Sequence, residues 1–70
     1  MDKQHVNSSN IESIGYDAIS MILEVKFVNG SLYQYFDINE MTYLSLINAS
    51  SIGSYLQRNI VKTYRYTKIQ

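Results

Sequence analysis

Tyrosine is the residue type best placed to form a binding surface in this chain, because its 70 residues include seven tyrosines and neither tryptophan nor cysteine. Four of the tyrosines form two closely spaced pairs, Tyr33 with Tyr35 and Tyr64 with Tyr66. A tyrosine offers a large contact area with a polar tip at a protein interface, and its ring can also stack on a nucleic-acid base. The two pairs therefore point to binding of a protein or of a nucleic acid.

Basic side chains accompany the second tyrosine pair. Residues 41–70 hold four cations and no acid, whereas residues 1–40 hold six acids and two lysines, which gives net charges of +4 and −4. The four C-terminal cations are Arg58, Lys62, Arg65 and Lys68. Cations beside exposed aromatic rings are typical of single-strand binders, but a net charge of zero provides little long-range attraction to phosphates. Nucleic-acid binding therefore ranks second, behind protein binding.

Side chains suited to catalysis or to metal binding are scarce. His5 is the sole histidine, and it lies near a polar N-terminus. The carboxylates Asp17, Asp37 and Glu40 fall at expected turns or at a helix start, where such groups accept hydrogen bonds from backbone N–H groups. Because acid–base and nucleophilic catalysis need paired groups, we expect no enzyme activity, no metal and no cofactor.

The elements that position the tyrosines are predicted from hydrophobic periodicity. Residues 9–16 favour a strand, in which Gly15 marks a bulge or a close backbone approach. Residues 21–28 alternate apolar and charged side chains, which is the period of a half-buried strand. The sequence Asn29-Gly30 that follows is a strong hairpin signal, and it leads into a third strand.

The register of this hairpin decides where the first tyrosine pair lies. A two-residue loop places Val25 opposite Gln34 and exposes Tyr33 and Tyr35 on the other face. A three-residue Asn-Gly-Ser loop with a bulge places Val25 opposite Tyr35 and makes both tyrosines part of the core. The sequence leaves both registers open, and Tyr35 and Tyr66 are the tyrosines we expect at the surface.

Two helices and a final strand complete the predicted fold. Asn39 can cap the first helix, and Ser50 or Ser51 can cap the second, which should end near Asn59. Residues 60–68 favour a fourth strand. The prediction is an α+β fold, a small antiparallel sheet in the order β-β-β-α-α-β with both short helices packed on one face.

Domain organisation and location follow from the length and composition. We expect residues 1–7 to be disordered and residues 8–70 to form a single domain. No apolar run is long enough to cross a membrane and the N-terminus carries no secretory signal, which favours a cytoplasmic protein. A domain of this size has a small core, so self-association as a homodimer would add stability.

Six short motifs, in order, resemble the KTSC domain family over nearly the whole chain. They are Ser8-Ser9-Asn10-Ile11, Gly15-Tyr16-Asp17, Leu23-x-Val25-x-Phe27-x-Asn29-Gly30, Tyr33-x-Tyr35, Ala49-x-Ser51-x-Gly53-x-Tyr55 and Ile60-x₃-Tyr64. The family is named for its occurrence at the C-terminus of some lysyl-tRNA synthetases, and it includes small free-standing bacterial proteins with a central Tyr-x-Tyr motif. The motif residues that the resemblance assigns are Ser9, Gly15, Tyr16, Gly30, Ser51, Gly53 and Tyr55.

What the resemblance implies about function is limited, since the family's function is regarded as unknown and RNA binding has been suggested for it. Ile38-Asn39 stands where the family commonly has Val-Pro, and Val61 stands where a basic residue often follows the isoleucine. The second departure weakens a phosphate-contacting role at that position.

The leading hypothesis is a small non-catalytic module that binds a protein partner, or a second copy of itself, through a tyrosine-rich surface. One form of it is a phage or mobile-element protein that inhibits a host factor. The first alternative is weak binding of RNA or single-stranded nucleic acid by the C-terminal cations and tyrosines. The second alternative is a small-ligand binder at a dimer interface. The candidate binding residues are Tyr33, Tyr35, Tyr64, Tyr66, Arg58, Lys62, Arg65 and Lys68.

Overall fold

The protein folds as one antiparallel sheet with helices on one of its faces. The computed structural model describes residues 3–6 and 8–70, the first three of these as backbone only. Within these ranges the sheet has five strands in sequence order, β1 (Lys3–His5), β2 (Ile11–Asp17), β3 (Ile22–Phe27), β4 (Leu32–Tyr35) and β5 (Tyr66–Lys68). The helices α1 (Glu40–Ile47) and α2 (Ile52–Tyr55) lie between β4 and β5, and α2 continues into a π-helical turn, Leu56–Val61. The predicted α+β class is confirmed.

The core lies between one face of the sheet and the helices. Alternate residues of β3, Leu23 and Val25, are fully buried there, as the period-2 pattern predicts. Leu46 from α1 and Leu56 from the π-helical turn cover them from the other side. The buried hydrophobic side chains are Ile11, Ile14, Leu23, Val25, Tyr35, Ile38, Leu46, Leu56 and Ile60. Both helices therefore pack on the same face of the sheet.

The predicted hairpin joins β3 to β4 through a three-residue loop, residues 28–30. The N–H of Gly30 donates to the carbonyl of Phe27, and the N–H of Phe27 donates to the carbonyl of Ser31, both at 2.9 Å. Gly30 has a φ of 93°, which a glycine adopts without strain. The carboxamide of Asn29 accepts from the N–H of Ser31 at 2.9 Å, which holds the turn from inside the loop.

This loop sets a register that differs from both predicted ones. Val25 lies opposite Tyr33, and Leu23 lies opposite Tyr35, instead of the pairing of Val25 with either Gln34 or Tyr35. The loop starts one residue earlier than predicted because Gly30 supplies the positive φ at its third position. Both tyrosines consequently stand on the core face of the sheet, as the three-residue alternative also required.

The bulge in β2 lies earlier than predicted. The register shifts between Ile11 and Ser13, so Glu12 is the extra residue, and it is exposed. Gly15, predicted to mark the bulge or a close approach, pairs regularly with Glu24. A bulge at an exposed charged residue keeps the apolar side chains on both sides of it facing the core.

The N-terminal segment takes part in the sheet. Lys3 pairs with Gly15 and His5 pairs with Ser13, which makes β1 an edge strand beside β2. The prediction of a disordered segment over residues 1–7 is therefore wrong for residues 3–5, because the edge of β2 supplies backbone hydrogen-bond partners for them. Residues 1, 2 and 7 lie outside the described residues.

Both helices begin with the predicted caps. The side chain of Asn39 accepts from the N–H of Thr42 at 2.8 Å, and that of Ser51 accepts from the N–H of Ser54 at 3.3 Å. Each cap satisfies one of the backbone donors that the first turn of a helix leaves without a helical partner. Ser51, not Ser50, is the second cap.

The second helical segment runs further than predicted and shortens the last strand. It ends at Val61, not near Asn59, and its π-helical turn keeps Leu56 and Ile60 fully buried. Residues 60–68 were predicted as one strand, but only Tyr66–Lys68 forms β5. Burial of Ile60 in the core stabilises the helical conformation over the β propensity of this segment.

None of the helices in the described part of the chain is long and apolar enough to span a membrane.

Candidate functional site

Three tyrosines from β4 and β5 form one aromatic cluster on the core face of the sheet. The ring centroids of Tyr33 and Tyr35 are 6.2 Å apart, with the planes 14° from parallel. Tyr66 lies 5.7 Å from Tyr33 and 5.9 Å from Tyr35. These separations are in the range of favourable aromatic pairs. We refer to Tyr33, Tyr35 and Tyr66 as the tyrosine cluster.

The cluster exists because the strand register brings alternate residues of two strands to one face. Tyr35 lies directly opposite Tyr66 in the β4–β5 pair, and Tyr33 lies opposite Lys68. Phe27, from β3, extends the cluster with an edge-on contact to Tyr33 at 5.6 Å. Four aromatic rings from three neighbouring strands therefore line one continuous surface.

An open cleft lies between this surface and the π-helical turn. Its volume is about 290 Å³, and we call it the aromatic cleft. The cleft is lined by Phe27, Asn29, Ser31, Tyr33, Tyr35, Gln57, Val61 and Tyr66. Apolar walls with a few polar groups are the usual composition of binding clefts in proteins.

The cluster divides into a buried part and an exposed part. Only 3% of Tyr35 is exposed, whereas 55% of Tyr66 is exposed, and Tyr33 is intermediate. The prediction of a surface position is thus wrong for Tyr35, because its register places it on the core face, and right for Tyr66. An incoming group would therefore contact Tyr66 at the rim of the cleft and Tyr33 within it.

Burial sets the ionisation of Tyr35. Desolvation, with smaller effects from the neighbouring Tyr33 and Tyr66, raises the pKa of its hydroxyl to about 12. Tyr35 therefore stays protonated at alkaline pH values at which an exposed tyrosine has begun to ionise.

The four C-terminal cations do not form one patch beside the tyrosines. Lys68 lies opposite Tyr33 in the sheet register and is the cation nearest in register to the cluster. Arg58 lines a separate cavity, and Lys62 is exposed just after the π-helical turn. The alternation along β5 places Arg65 on the other face of the sheet.

Arg65 has partners on that other face. Its guanidinium lies 3.5 Å from the carboxylate of Asp37, and both side chains are largely exposed. The same guanidinium lies 5.8 Å from the ring centroid of Phe36. Asp37 also adopts a φ of 62°, at the bend between β4 and α1. These contacts give Arg65 a local structural role at the bend.

Three of the family-motif residues meet at a second, polar cavity of about 410 Å³. Ser9 comes from the segment before β2, and Ser51 and Gly53 come from the start of α2. Arg58 lines the same cavity from the π-helical turn. A Cβ atom at Gly53 would lie 3.5 Å from the hydroxyl of Ser8, an ordinary contact, so packing does not require a glycine there.

The remaining motif residues support the fold. Gly30 makes the hairpin turn, and Tyr55 packs partly buried against the core. Tyr16 stacks on Tyr43 with centroids 4.4 Å apart, and its hydroxyl donates to the carbonyl of Ile38 at 2.6 Å. Desolvation, followed by the charges of nearby carboxylates, raises the pKa of Tyr16. Tyr64, a predicted binding residue, also packs against the core as a partly buried side chain.

The carboxylates act mainly at turns and helix starts. Asp17 accepts from the N–H of Ile19 at 3.1 Å, and hydrogen bonds from Ser20 and from the backbone lower its pKa. Glu40 is in the first turn of α1, where it complements the helix dipole. Among the described residues no group of three or more histidine, cysteine or acidic side chains is placed to hold a metal ion.

Five residues of the cleft lie outside the tyrosine pairs and were not predicted as binding residues from the sequence, namely Phe27, Asn29, Ser31, Gln57 and Val61. Asn29 was assigned to the turn alone. The sequence pattern predicts a strand at Val61. Its helical conformation follows from the burial of the neighbouring Ile60 in the core, which the pattern does not show. Residues four apart on a helix share a face, so a helical assignment of this segment would have placed Gln57 and Val61 side by side.

Comparison with known proteins identifies the family of this fold. Residues 7–66 match the KTSC domain. The crystal structure of a KTSC domain protein from Yersinia pestis superposes with a TM-score of 0.91 at 34% identity, covering 99% of this chain and 97% of that one. An uncharacterized protein from Stutzerimonas stutzeri is 34% identical over 99% of both chains. A protein from Tsukamurella paurometabola is 32% identical over 89% of this chain and 92% of its own.

Proposed function

The chain belongs to the KTSC domain family, and we propose that it acts as a non-catalytic module that binds a protein partner through the aromatic cleft. The observation that carries this proposal is the half-exposed ring of Tyr66 at the rim of an open cleft whose floor is the buried ring of Tyr35. A rigid aromatic pocket with an accessible rim suits a large side chain from another protein.

The lining of the cleft indicates what such a partner would insert. Phe27, Tyr33 and Val61 offer apolar and aromatic surface, while Asn29 and Gln57 offer amide groups beside it. A large apolar or aromatic side chain would bury its surface on the rings, and the amides would pair with polar groups of the partner's backbone. The partner's anchor is therefore a tryptophan, tyrosine, phenylalanine, leucine or methionine.

The arrangement of charge favours a protein over a nucleic acid. A single-strand binder needs cations that follow the phosphates beside the stacking rings. Arg58 lines another cavity and Arg65 pairs with Asp37 on the opposite face. The two remaining C-terminal cations are Lys68, in register with the cluster, and Lys62, exposed just after the π-helical turn. This separation supports the protein-binding proposal over the nucleic-acid alternative.

Selection from a phage-displayed library of random peptides tests the proposal. We expect enrichment of peptides with a large apolar or aromatic residue, and we expect Tyr66→Ala to weaken their binding at least about tenfold. Lys62→Ala is the matched control, because the side chain of Lys62 is also exposed but does not line the cleft. Its binding should match that of the natural chain.

Two results would overturn the proposal. One is that no peptide is enriched over an unrelated domain of similar size. The other is that the enriched peptides bind Tyr66→Ala and Val61→Ala variants as tightly as they bind the natural chain. Chemical-shift mapping with one enriched peptide would locate the contact, and we expect the shifts to concentrate at Tyr33, Val61 and Tyr66.

A further inference from the structure

The outer edge of β5 presents backbone groups suited to pairing with another strand. On the inner side, the N–H of Phe36 donates to the carbonyl of Arg65 at 2.9 Å, and the N–H of Ile69 donates to the carbonyl of Leu32 at 2.7 Å. Successive residues of an antiparallel strand turn these groups to opposite sides. Tyr66 and Lys68 therefore direct their N–H and C=O groups away from β4, where no strand of the described residues lies.

We propose that a second copy of this chain occupies this edge, with β5 pairing antiparallel to β5 about a two-fold axis at Thr67. The pairing goes beyond the proposed function, because it uses backbone groups at the edge of the sheet, although the side chain of Tyr66 takes part in both surfaces. Isologous contacts of this kind are the commonest route to soluble homodimers.

The register follows from charge and from the positions of the open groups. Pairing Lys68 with Lys68 of the partner subunit would place two ammonium groups opposite each other, which is unfavourable. Pairing Tyr66 with Tyr66 of the partner subunit would bring Lys68 against Tyr64, which lies outside the strand. In the register centred on Thr67, Tyr66 of each subunit pairs with Lys68 of the other. The outward-facing N–H and C=O groups of both residues then form hydrogen bonds between the strands.

The cross-strand partners of the two cations support this register. Lys68 would face the ring of a tyrosine, a favourable arrangement for a cation. Arg65, the other cation of this segment, would lie opposite Ile69 of the partner subunit, and it is already paired with Asp37 in its own chain. The two-fold arrangement therefore creates no direct contact between like charges.

The dimer would also complete the surface around the cleft. Tyr66 and Ile69 are 55% and 50% exposed, and both would lose exposure against the second strand. Lys68 of the partner subunit would extend the wall of the aromatic cleft beside Tyr66. Because the paired strands are short, the interface is smaller than that of a permanent dimer, and we expect a weak, concentration-dependent association.

A single cysteine at the two-fold axis tests both the dimer and its register. The chain has no cysteine, and Thr67 would face Thr67 of the partner subunit in a pair without direct hydrogen bonds, where Cα atoms are about 4.5 Å apart. That distance permits a disulfide bond. We expect Thr67→Cys to form a covalent dimer on mild oxidation, and Lys68→Cys, one residue along the same exposed strand, to form at least about fivefold less.

Sedimentation of the unmodified chain provides the second measurement. We expect a monomer–dimer equilibrium that Tyr66→Ala weakens at least about threefold. A chain that stays monomeric at the highest soluble concentration, or a Thr67→Cys variant that cross-links no more than Lys68→Cys, would overturn the dimer. Peptides that still bind such a monomer through the cleft would leave the proposed function standing, so the two failures are distinguishable.

Discussion

Tyr35 and Tyr66 face each other across the β4–β5 pair with ring centroids 5.9 Å apart, yet one is buried and the other is half exposed. The two residues thus belong to the same aromatic contact but serve different purposes. Tyr35 holds the sheet to the helices, and Tyr66 presents the cluster to the outside.

Alanine substitutions should distinguish the structural role of Tyr35 from the surface position of Tyr66. Removing the ring of Tyr35 opens a cavity in the core, so we expect Tyr35→Ala to lower the free energy of unfolding by about 3–5 kcal/mol. Tyr66→Ala should lower it by less than about 1 kcal/mol, because the ring is half exposed. Urea denaturation of the two variants measures both values. Equal losses would contradict the division between fold and surface.

Alkaline pH should weaken the fold through Tyr35. Its pKa rises from 10.0 to about 12 in the folded chain, so between these values the unfolded chain loses the proton and the folded chain keeps it. The free energy of unfolding therefore falls as pH rises from about 10 to about 12, and the contribution is intact below pH 10. Urea denaturation across this range measures the slope.

Tyr35→Phe is the control for that effect, because it keeps the ring and removes the ionising group. We expect the phenylalanine variant to show a shallower decline of stability over the same pH range. An identical decline in both chains would assign the alkaline sensitivity to other tyrosines.

The two surface-accessible glycine positions at Gly30 and Gly53 should respond in opposite ways to alanine. Gly30 has a φ of 93°, which strains any L side chain, so Gly30→Ala should cost about 1 kcal/mol or more. Gly53 lies in the first turn of α2, and a Cβ atom there would make only an ordinary van der Waals contact. Gly53→Ala should therefore raise the free energy of unfolding by up to about 1 kcal/mol. Thermal denaturation of both variants measures the difference. A gain at Gly30 would mean that the loop adopts another turn.

The hydroxyl of Tyr16 should contribute measurably to stability. Tyr16→Phe removes the donor to the carbonyl of Ile38 and keeps the stacked ring, so we expect a loss of about 1–2 kcal/mol. Tyr43→Phe, which changes the other ring of the same stacked pair, should cost less than about 0.5 kcal/mol. Similar losses in the two variants would show that the bond to Ile38 is not the cause.

Nucleic-acid binding should be weak and insensitive to the two arginines. We expect a fluorescent oligouridine to bind weakly at low salt and the Arg58→Ala/Arg65→Ala double variant to bind within about twofold of the natural chain. Fluorescence anisotropy over a salt series measures the affinity of both chains for the oligouridine. Tight binding with a steep salt dependence that the double variant loses would favour the RNA alternative.

Local signals in the sequence were sufficient for most of the elements. The alternation of Leu23 and Val25 correctly predicted the buried face of the second predicted strand, and Asn39 correctly predicted the start of the first helix. These features depend on residues a few positions apart, where periodicity and capping act directly. The candidate tyrosines Tyr33 and Tyr66 were recognised from composition and spacing alone.

Features that depend on the geometry of a turn or on distant contacts were not predictable in the same way. The hairpin register was decided by the position of the positive φ at Gly30 and by the side chain of Asn29, not by alternation. The helical state of Ile60 follows from its burial among residues of the sheet. The position of Arg65 on the face away from the tyrosine cluster follows from its alternation with Tyr66, but its contacts with Asp37 and Phe36 join segments that are distant in sequence.

The insertion of both helices between β4 and β5 has a consequence for the order of folding. The β3–β4 hairpin closes a short loop, whereas pairing of Tyr35 with Tyr66 closes one of about 30 residues, which costs more chain entropy. Contacts of long sequence separation form slowly. The hairpin should therefore form early and the tyrosine cluster late, so that the chain acquires the proposed contact surface only as it reaches the native state.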